Sequence, residues 1–124
     1  LADAGGAAVQ AALDMLEMIE LYNREPDRAG KPPIEIGIGI ASGDVIAGYT
    51  GTQQRATYTC VGDAVNLAAR LEAHTKTVGH TILTDAATRN AVGDRCRIEA
   101  LGTANLKGKA ECVEVYSVIG GQKF

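Results

Sequence analysis

The chain has 124 residues, of which 46% are hydrophobic and 22% charged, and its formal net charge is -3. This composition is that of one soluble globular domain, and it excludes a disordered or fibrous protein. Because the charges are interspersed and the chain has only one Phe and four Tyr, the surface of a nucleic-acid-binding protein is excluded as well.

Neither a membrane segment nor a disulfide framework is indicated. No apolar stretch approaches the ~20 residues that span a bilayer, and the N-terminus lacks the pattern of a signal peptide. Cys60, Cys96 and Cys112 are an odd, widely spaced set, which predicts reduced thiols. We therefore expect a cytoplasmic domain without membrane contact. Because the sequence opens on Leu1, directly before a helical pattern, we also expect an upstream part of the same protein.

The first two elements are predicted from different hydrophobic periods. Between residues 3 and 23, apolar side chains recur every three to four positions, which is typical of a helix with one buried stripe. Residues 34–41 alternate isoleucine with Glu35, Gly37 and Gly39, which predicts a strand. Since both glycines lie opposite the isoleucines, we expect another element to approach the backbone closely there.

A tight turn at residues 42–44 is predicted to join this strand to a second one at residues 45–49, so that the two form a hairpin. Residues 57–61 are predicted to be a short extended segment. The helix that follows is predicted to begin at Gly62 and Asp63 and to run to about Thr77, before Gly79.

The remaining elements are shorter. They are predicted as a strand at residues 81–84, a helix capped by Asp85 and ending near Val92, and strands at residues 98–101 and 113–119. The fold class is therefore α+β. We expect a largely antiparallel sheet with the helices at residues 3–23 and 63–77 packed on one face.

The helix at residues 63–77 separates an apolar side from a polar side, at 100° per residue. The apolar side is predicted to hold Val61, Ala64, Val65, Ala68 and Leu71. Asn66 and Arg70 lie opposite, where an amide and a guanidinium could hold a sugar oxygen and a phosphate. By spacing alone, a solvated helix face is the simpler interpretation. Ala69 and Ala73, however, suit a surface that another subunit approaches closely.

Other polar motifs are weak by themselves. His74 and His80 have no partner at the spacing of a metal site or a catalytic triad, so both are predicted to be surface residues. Lys107, Gly108 and Lys109 form a basic turn that could reach a triphosphate, although such a turn is usually a solvated loop.

The string from Tyr58 to Glu72, YTCVGDAVNLAARLE, closely resembles the signature of class III adenylyl and guanylyl cyclases. Residues 36–43 resemble the central strand and turn of that family, and residues 106–109 resemble its basic loop. The similarity runs from about residue 34 to residue 119. It implies the ferredoxin-like cyclase fold, incomplete at the N-terminus, with residues 1–124 forming the larger, C-terminal part of one catalytic domain.

The resemblance implies roles for four residues. Asn66 would orient the ribose, and Arg70 would stabilise charge on the α-phosphate while the 3′-hydroxyl attacks. Lys107 would bind the β- and γ-phosphates. Thr59 falls on the base-selecting position, where threonine is common in a largely bacterial subgroup of adenylyl cyclases. Its hydroxyl can donate and accept a hydrogen bond, so ATP is the favoured substrate and GTP the alternative.

The metal-binding Asp residues of the family would precede Leu1, so no metal ligand is expected in this chain. The resemblance implies two Mg²⁺ or Mn²⁺ ions, bound mainly by residues that the chain lacks, and the chain alone is expected to be inactive. Family members act as dimers with composite sites. We therefore expect a homodimer in which Asn66 and Arg70 complete a site whose metals are held by the other subunit.

Two functions from different classes remain open. The first is a lyase of signal transduction that converts ATP to cyclic AMP and pyrophosphate. The second is a non-catalytic cyclase-homology module for dimerisation or nucleotide sensing. The joint presence of Thr59, Asn66, Arg70 and Lys107 favours the enzyme, because a structural module has no packing reason to hold these polar groups. An unrelated α+β binding domain is a third alternative.

Overall fold

The computed structural model describes residues 3–28, 30–52, 54, 56–106 and 111–121. The helices in these ranges are α1 (Ala4–Asn23), α2 (Asp63–Val78) and α3 (Ala86–Val92). The strands are β1 (Ile38–Ile40), β2 (Ile46–Gly51), β3 (Ala56–Val61), β4 (Ile82–Thr84), β5 (Cys96–Ala104) and β6 (Val113–Gly121). Both long predicted helices are confirmed, and so is the α+β class.

The strands form a four-stranded sheet in the order β1-β4-β6-β5 and a separate two-stranded pair, β2-β3. β1 and β4 run parallel, with Ile38 opposite Ile82. The other pairings, β2 with β3, β4 with β6 and β5 with β6, are antiparallel. The prediction of a largely antiparallel sheet is therefore confirmed for the described strands.

The predicted hairpin between residues 34–41 and 45–49 is wrong, because β2 pairs with β3 instead of β1. The reason lies in the hydrogen bonds that follow β1. The backbone N–H of Asp85 donates to the carbonyl of Ile40 at 3.3 Å, and the Asp85 carboxylate accepts from the N–H of Ser42 at 3.4 Å. These bonds tie the end of β1 to the start of α3, so the chain leaves the sheet before β2 begins.

The first predicted strand is also shorter than expected, since β1 covers only Ile38–Ile40. At its expected start, the side-chain amide of Asn23 donates to the carbonyl of Ile34 at 2.9 Å and accepts from the Ile34 N–H at 2.8 Å. Ile34 therefore satisfies its backbone groups with the end of α1. Pro32 and Pro33, just before it, have no N–H to give to a strand neighbour.

The long helices lie on opposite faces of the four-stranded sheet, which corrects the expectation that they share one face. Val9 and Ala12 of α1 pack in a cluster with Ile82, whereas Leu71 of α2 packs with Leu83 in a second cluster. Ile82 and Leu83 are neighbours in β4, and successive side chains of a strand point to opposite faces. The sheet is thus covered by α1 and α3 on one side and by α2 on the other.

The predicted close approach to the glycine face of β1 is confirmed. A Cβ atom built on Gly39 would overlap the Ala68 carbonyl oxygen and lie 2.5 Å from the backbone nitrogen of Glu72, both in α2. A Cβ atom on Gly37 would overlap the Thr75 side chain. These glycines let α2 rest directly on the sheet backbone, and they fix the distance between that helix and β1.

We expect Gly39→Ala to destabilise the protein by about 3 kcal/mol, because the added methyl group meets backbone atoms that cannot rotate away. Gly120→Ala is the matched control, since a Cβ atom there has no neighbour within 4 Å among the described residues. Urea denaturation of both variants checks the difference. Equal stability of the two variants would contradict the close contact between α2 and β1.

The cysteines are free thiols, as predicted: Cys60 and Cys112 are exposed and Cys96 is buried. Burial raises the pKa of the Cys96 thiol above its ordinary value, which keeps it protonated and unreactive. Within the described ranges, no helix is long and apolar enough to cross a membrane.

Candidate functional site

Helix α2 carries two of the predicted site residues, and glycines define both of its ends. Gly62, at φ +150°, precedes the first turn, and a Cβ atom there would lie 2.9 Å from the carbonyl oxygen of Asp44. Gly79 ends the helix in the left-handed conformation at φ 72°, which glycine adopts without steric cost. The start of α2 is therefore held against the chain segment that leads into β2.

The predicted apolar stripe of α2 is only partly correct. Leu71 is fully buried, but Val61 and Val65 are 52% and 36% exposed. The apolar side chains of α2 that pack with Leu71 or against its cluster are Leu67 and Val78. Leu67, Leu71 and Val78 face the four-stranded sheet, because the glycines of β1 leave space for the helix there. Val61, in contrast, lies in the β2-β3 pair, outside that sheet.

Asn66 and Arg70 lie one turn apart on the side of α2 that the core does not cover. Asn66 is exposed and Arg70 is half-buried. Among the residues that the structure describes, neither side chain has a hydrogen-bonding or ion-pair partner. Without such partners, the amide of Asn66 and the guanidinium of Arg70 are available to a ligand or to another subunit.

Arg70 lines a groove of about 490 Å³ between α2 and the two residues that follow β5. The groove is lined by Ala69, Arg70, Ala73, His74, Thr77, Asn105 and Leu106. Leu106 is 3% exposed and belongs to the same buried cluster as Leu71, which fixes Asn105 beside Arg70. None of these lining residues is acidic, so the groove suits an anionic group.

The other predicted residues are placed differently. Thr59 lies in the middle of β3, opposite Gly48 of β2, and its Oγ1 donates to the carbonyl of Thr57 at 3.4 Å. Thr59 is half-buried and does not line the Arg70 groove. Lys107 lies outside the described residues. One subunit thus brings Asn66 and Arg70 together on one helix, whereas Thr59 belongs to a separate surface.

Two histidines that the sequence assigned to the surface are half-buried. His74 lines the Arg70 groove, and the Nδ1 atom of His80 lies 2.9 Å from the hydroxyl of Ser117 on β6. For His74 a signal was present in the sequence, because positions 66, 70 and 74 continue one row at intervals of four. Nothing local indicated Asn105, which reaches the groove through the packing of Leu106.

A larger groove, of about 570 Å³, runs between the C-terminal ends of α1 and α2 beside residues 34–37. It contains none of the predicted site residues. It is therefore not the candidate site, in spite of its size.

The described residues do not fit a metal centre, because no group of three His, Cys, Asp or Glu side chains among them could hold an ion. The assignment of the metal ligands to a region upstream of Leu1 stays a prediction.

A family model described as the adenylate and guanylate cyclase catalytic domain matches residues 2–120. The chain belongs to this family. The resemblance of residues 58–72 to the cyclase signature is thereby confirmed, and the alternative of an unrelated α+β binding domain is wrong.

The cyclase domain is 34% identical over 113 residues to adenylate cyclase 1 of Rhizobium meliloti, an alignment that covers 91% of this chain and 17% of that relative. Across three adenylate cyclases that it matches, the chain spans 6% to 24% of their lengths. The relatives are therefore much longer proteins.

Solved structures of adenylyl and guanylyl cyclases match the cyclase domain equally well. The adenylyl cyclase CyaB from P. aeruginosa has a TM-score of 0.82 at 27% identity, over 95% of this chain and 60% of that one. The guanylyl cyclase Cya2 has a TM-score of 0.84 at 30% identity, over 98% of this chain and 61% of that one. A guanylyl cyclase domain from Blastocladiella emersonii, described as a non-canonical dimer, has a TM-score of 0.74 at 26% identity, over 97% of this chain and 61% of that one. The predicted cyclase fold is confirmed, and the fold alone does not distinguish ATP from GTP.

Proposed function

We propose that this chain is the larger, C-terminal part of the catalytic domain of an adenylate cyclase, and that the complete protein converts ATP to 3′,5′-cyclic AMP and pyrophosphate. One observation supports this proposal above others. Asn66 and Arg70, which match the family's signature, stand side by side on an uncovered helix face next to a groove without acidic residues.

In this reaction the 3′-oxygen of the ribose bonds to the α-phosphorus, and the bond from that phosphorus to the oxygen bridging to the β-phosphate breaks. The 3′-hydroxyl loses its proton, and pyrophosphate departs with the bridging oxygen. Asn66 orients the ribose, and Arg70 neutralises the charge that develops on the α-phosphate oxygens, where a planar guanidinium matches their geometry. Lys107 binds the β- and γ-phosphates. Among the described residues no group of three His, Cys, Asp or Glu side chains could hold an ion, so the Mg²⁺ or Mn²⁺ ions would be held mainly by residues upstream of Leu1 and would neutralise phosphate charge.

The choice of ATP over GTP is proposed for Thr59. Its hydroxyl can donate to a ring nitrogen or accept from the amino group of adenine. The relative from Rhizobium meliloti is named an adenylate cyclase, which favours the same substrate here. ATP is abundant in the cytoplasm, which is therefore the proposed location of the domain.

We also propose that two copies of the domain form a homodimer with shared sites. The β2-β3 pair exposes large apolar side chains on both of its faces, because Ile46 is paired with Val61 on one face and Tyr49 with Tyr58 on the other. The exposed fractions of Ile46, Tyr49, Tyr58 and Val61 are 76%, 75%, 61% and 52%. The rings of Tyr49 and Tyr58 touch edge to face, with centroids 5.0 Å apart. An exposed apolar surface of this kind is typical of a protein interface. A second copy that covers the Ile46–Val61 face would lie next to the start of α2, where Asn66 is exposed.

The substrate assignment predicts a measurable preference in the full-length protein. With Mg²⁺ or Mn²⁺ present, we expect cyclic AMP and pyrophosphate to form in equal amounts from ATP, and kcat/KM for ATP to exceed that for GTP. Thr59→Val keeps the shape but removes the hydroxyl, so we expect the preference for ATP to fall by about tenfold. Product formation is measured by chromatography.

The same experiment separates the alternatives. If cyclic GMP were the only product, the substrate would be GTP and not ATP. If the protein bound nucleotide but formed no cyclic product with either metal, the proposed enzyme activity would be contradicted. The hypothesis of a non-catalytic module would then remain. Thr57→Val is the matched control, because Thr57 is an exposed threonine of the same strand, two residues from Thr59.

A further inference from the structure

The Arg70 groove also contains a histidine, for which the proposed reaction has no role. His74 lies one turn after Arg70 on α2 and is half-buried in the groove. Residues four apart on a helix are neighbours, so the imidazole and the guanidinium lie on the same surface. We propose that His74 is a phosphate-binding residue, which contacts the terminal phosphates of the bound nucleotide and the pyrophosphate that leaves.

The charges around His74 support an anionic ligand. Its helical neighbours three and four positions away are Arg70, Leu71, Thr77 and Val78, none of which is acidic. From the segment after β5, Asn105 and Leu106 face the same groove and carry no charge. Among the described residues that line the groove, Arg70 is therefore the only one with a permanent charge. An anion that enters would meet positive charge without competition from a carboxylate.

The shape of the groove favours phosphate over the base or the sugar. Ala69 and Ala73 are exposed and short, so they leave room for a bulky anion beside Arg70. No Phe, Tyr or Trp side chain is among the residues that line the groove, and a base would therefore find no described ring there except the imidazole of His74. Thr77 and Asn105 add a hydroxyl and an amide that can donate to phosphate oxygens.

The proposal is tested by changing what the side chain at position 74 can donate. The imidazole of His74 offers an N–H donor to phosphate oxygens. Leucine has no polar atom, whereas lysine is a cation with three donors. His74→Leu thus removes the proposed contact, and His74→Lys replaces it by a charge-assisted one.

The test measures the binding of radiolabelled pyrophosphate to the full-length protein by equilibrium dialysis. We expect His74→Leu to raise the Kd by about fivefold to tenfold, because one hydrogen bond to the anion is lost. We expect His74→Lys to keep the Kd at or below the wild-type value. His80→Leu is the matched control, because His80 lies outside the groove and bonds to Ser117.

An unchanged Kd in His74→Leu, a His74→Lys variant that binds as weakly as His74→Leu, or a His80→Leu variant that behaves like His74→Leu would overturn the proposal. A melting temperature recorded for each variant identifies any loss of binding that comes from unfolding. The inference rests on the proposed function, but its test does not require turnover. Pyrophosphate binding that depends on His74 in this way, in a protein that forms no cyclic nucleotide, would reject the proposed enzyme activity and leave the His74 site standing.

Discussion

Replacement of Arg70 by alanine in the full-length protein is expected to lower kcat by about a hundredfold or more, with little change in KM. A guanidinium that neutralises charge developing on the α-phosphate acts mainly in the transition state, so its loss appears in turnover and not in substrate affinity. Losses of this size are typical when one such donor is removed. Initial rates of cyclic AMP formation over a range of ATP concentrations measure both constants.

Two further variants sharpen this result. Arg70→Lys retains the charge but not the planar fork, so we expect partial activity, between that of Arg70→Ala and wild type. Arg97→Ala removes an exposed arginine of β5, far along the chain from α2, and is expected to leave kcat unchanged. If Arg70→Ala kept turnover within about threefold of wild type, a transition-state role for this residue would be untenable.

Mixing two inactive full-length variants is expected to restore activity if the site is shared between subunits. One variant carries Arg70→Ala, and the other lacks the metal-binding Asp residues predicted upstream of Leu1. In a two-fold dimer each site takes Asn66 and Arg70 from one chain and the metal ligands from the other. A mixed dimer therefore has one intact site of two. With free exchange half of the dimers are mixed, so about a quarter of wild-type activity should return.

The control for this experiment uses the same helix. A mixture of Arg70→Ala with Asn66→Ala can never rebuild a site, because both residues of a site come from one chain, so no activity should return. Subunit exchange is confirmed by pulling down one tagged variant with the other. Exchange without recovery in the first mixture would show that Arg70 and the metals act within one chain. Recovery in the control mixture would contradict the pairing of Asn66 with Arg70.

Local patterns were sufficient for the helices and for the candidate residues on α2. The spacing of apolar residues determined α1 and α2 to within one or two positions, because helix periodicity is a property of consecutive residues. Gly79 at the end of α2 and Asp85 before α3 were predicted correctly for the same reason, since a helix cap depends on a few adjacent backbone groups. Asn66 and Arg70 were placed on one face by their spacing alone.

Strand pairing and the layers of the fold were decided only by the tertiary structure. Alternation in residues 34–41 and 45–49 indicates strands but not their partners, and the bonds from Asp85 to Ile40 and Ser42 join segments more than forty residues apart. The opposite placement of α1 and α2 depends on which face of β4 each helix meets. An apolar stripe indicates that a helix face is buried, but it does not identify the element that covers this face.

The Arg70 groove combines the two kinds of information. Its α2 wall follows from a row at positions 66, 70 and 74 that the sequence already contained. Its other wall, Asn105, depends on Leu106 entering the same buried cluster as Leu71. Side-chain period is a local consequence of backbone geometry, so the sequence determined which residues share a helix face. Contact between distant segments depends on how the whole core packs, so only the tertiary structure decided what that face meets.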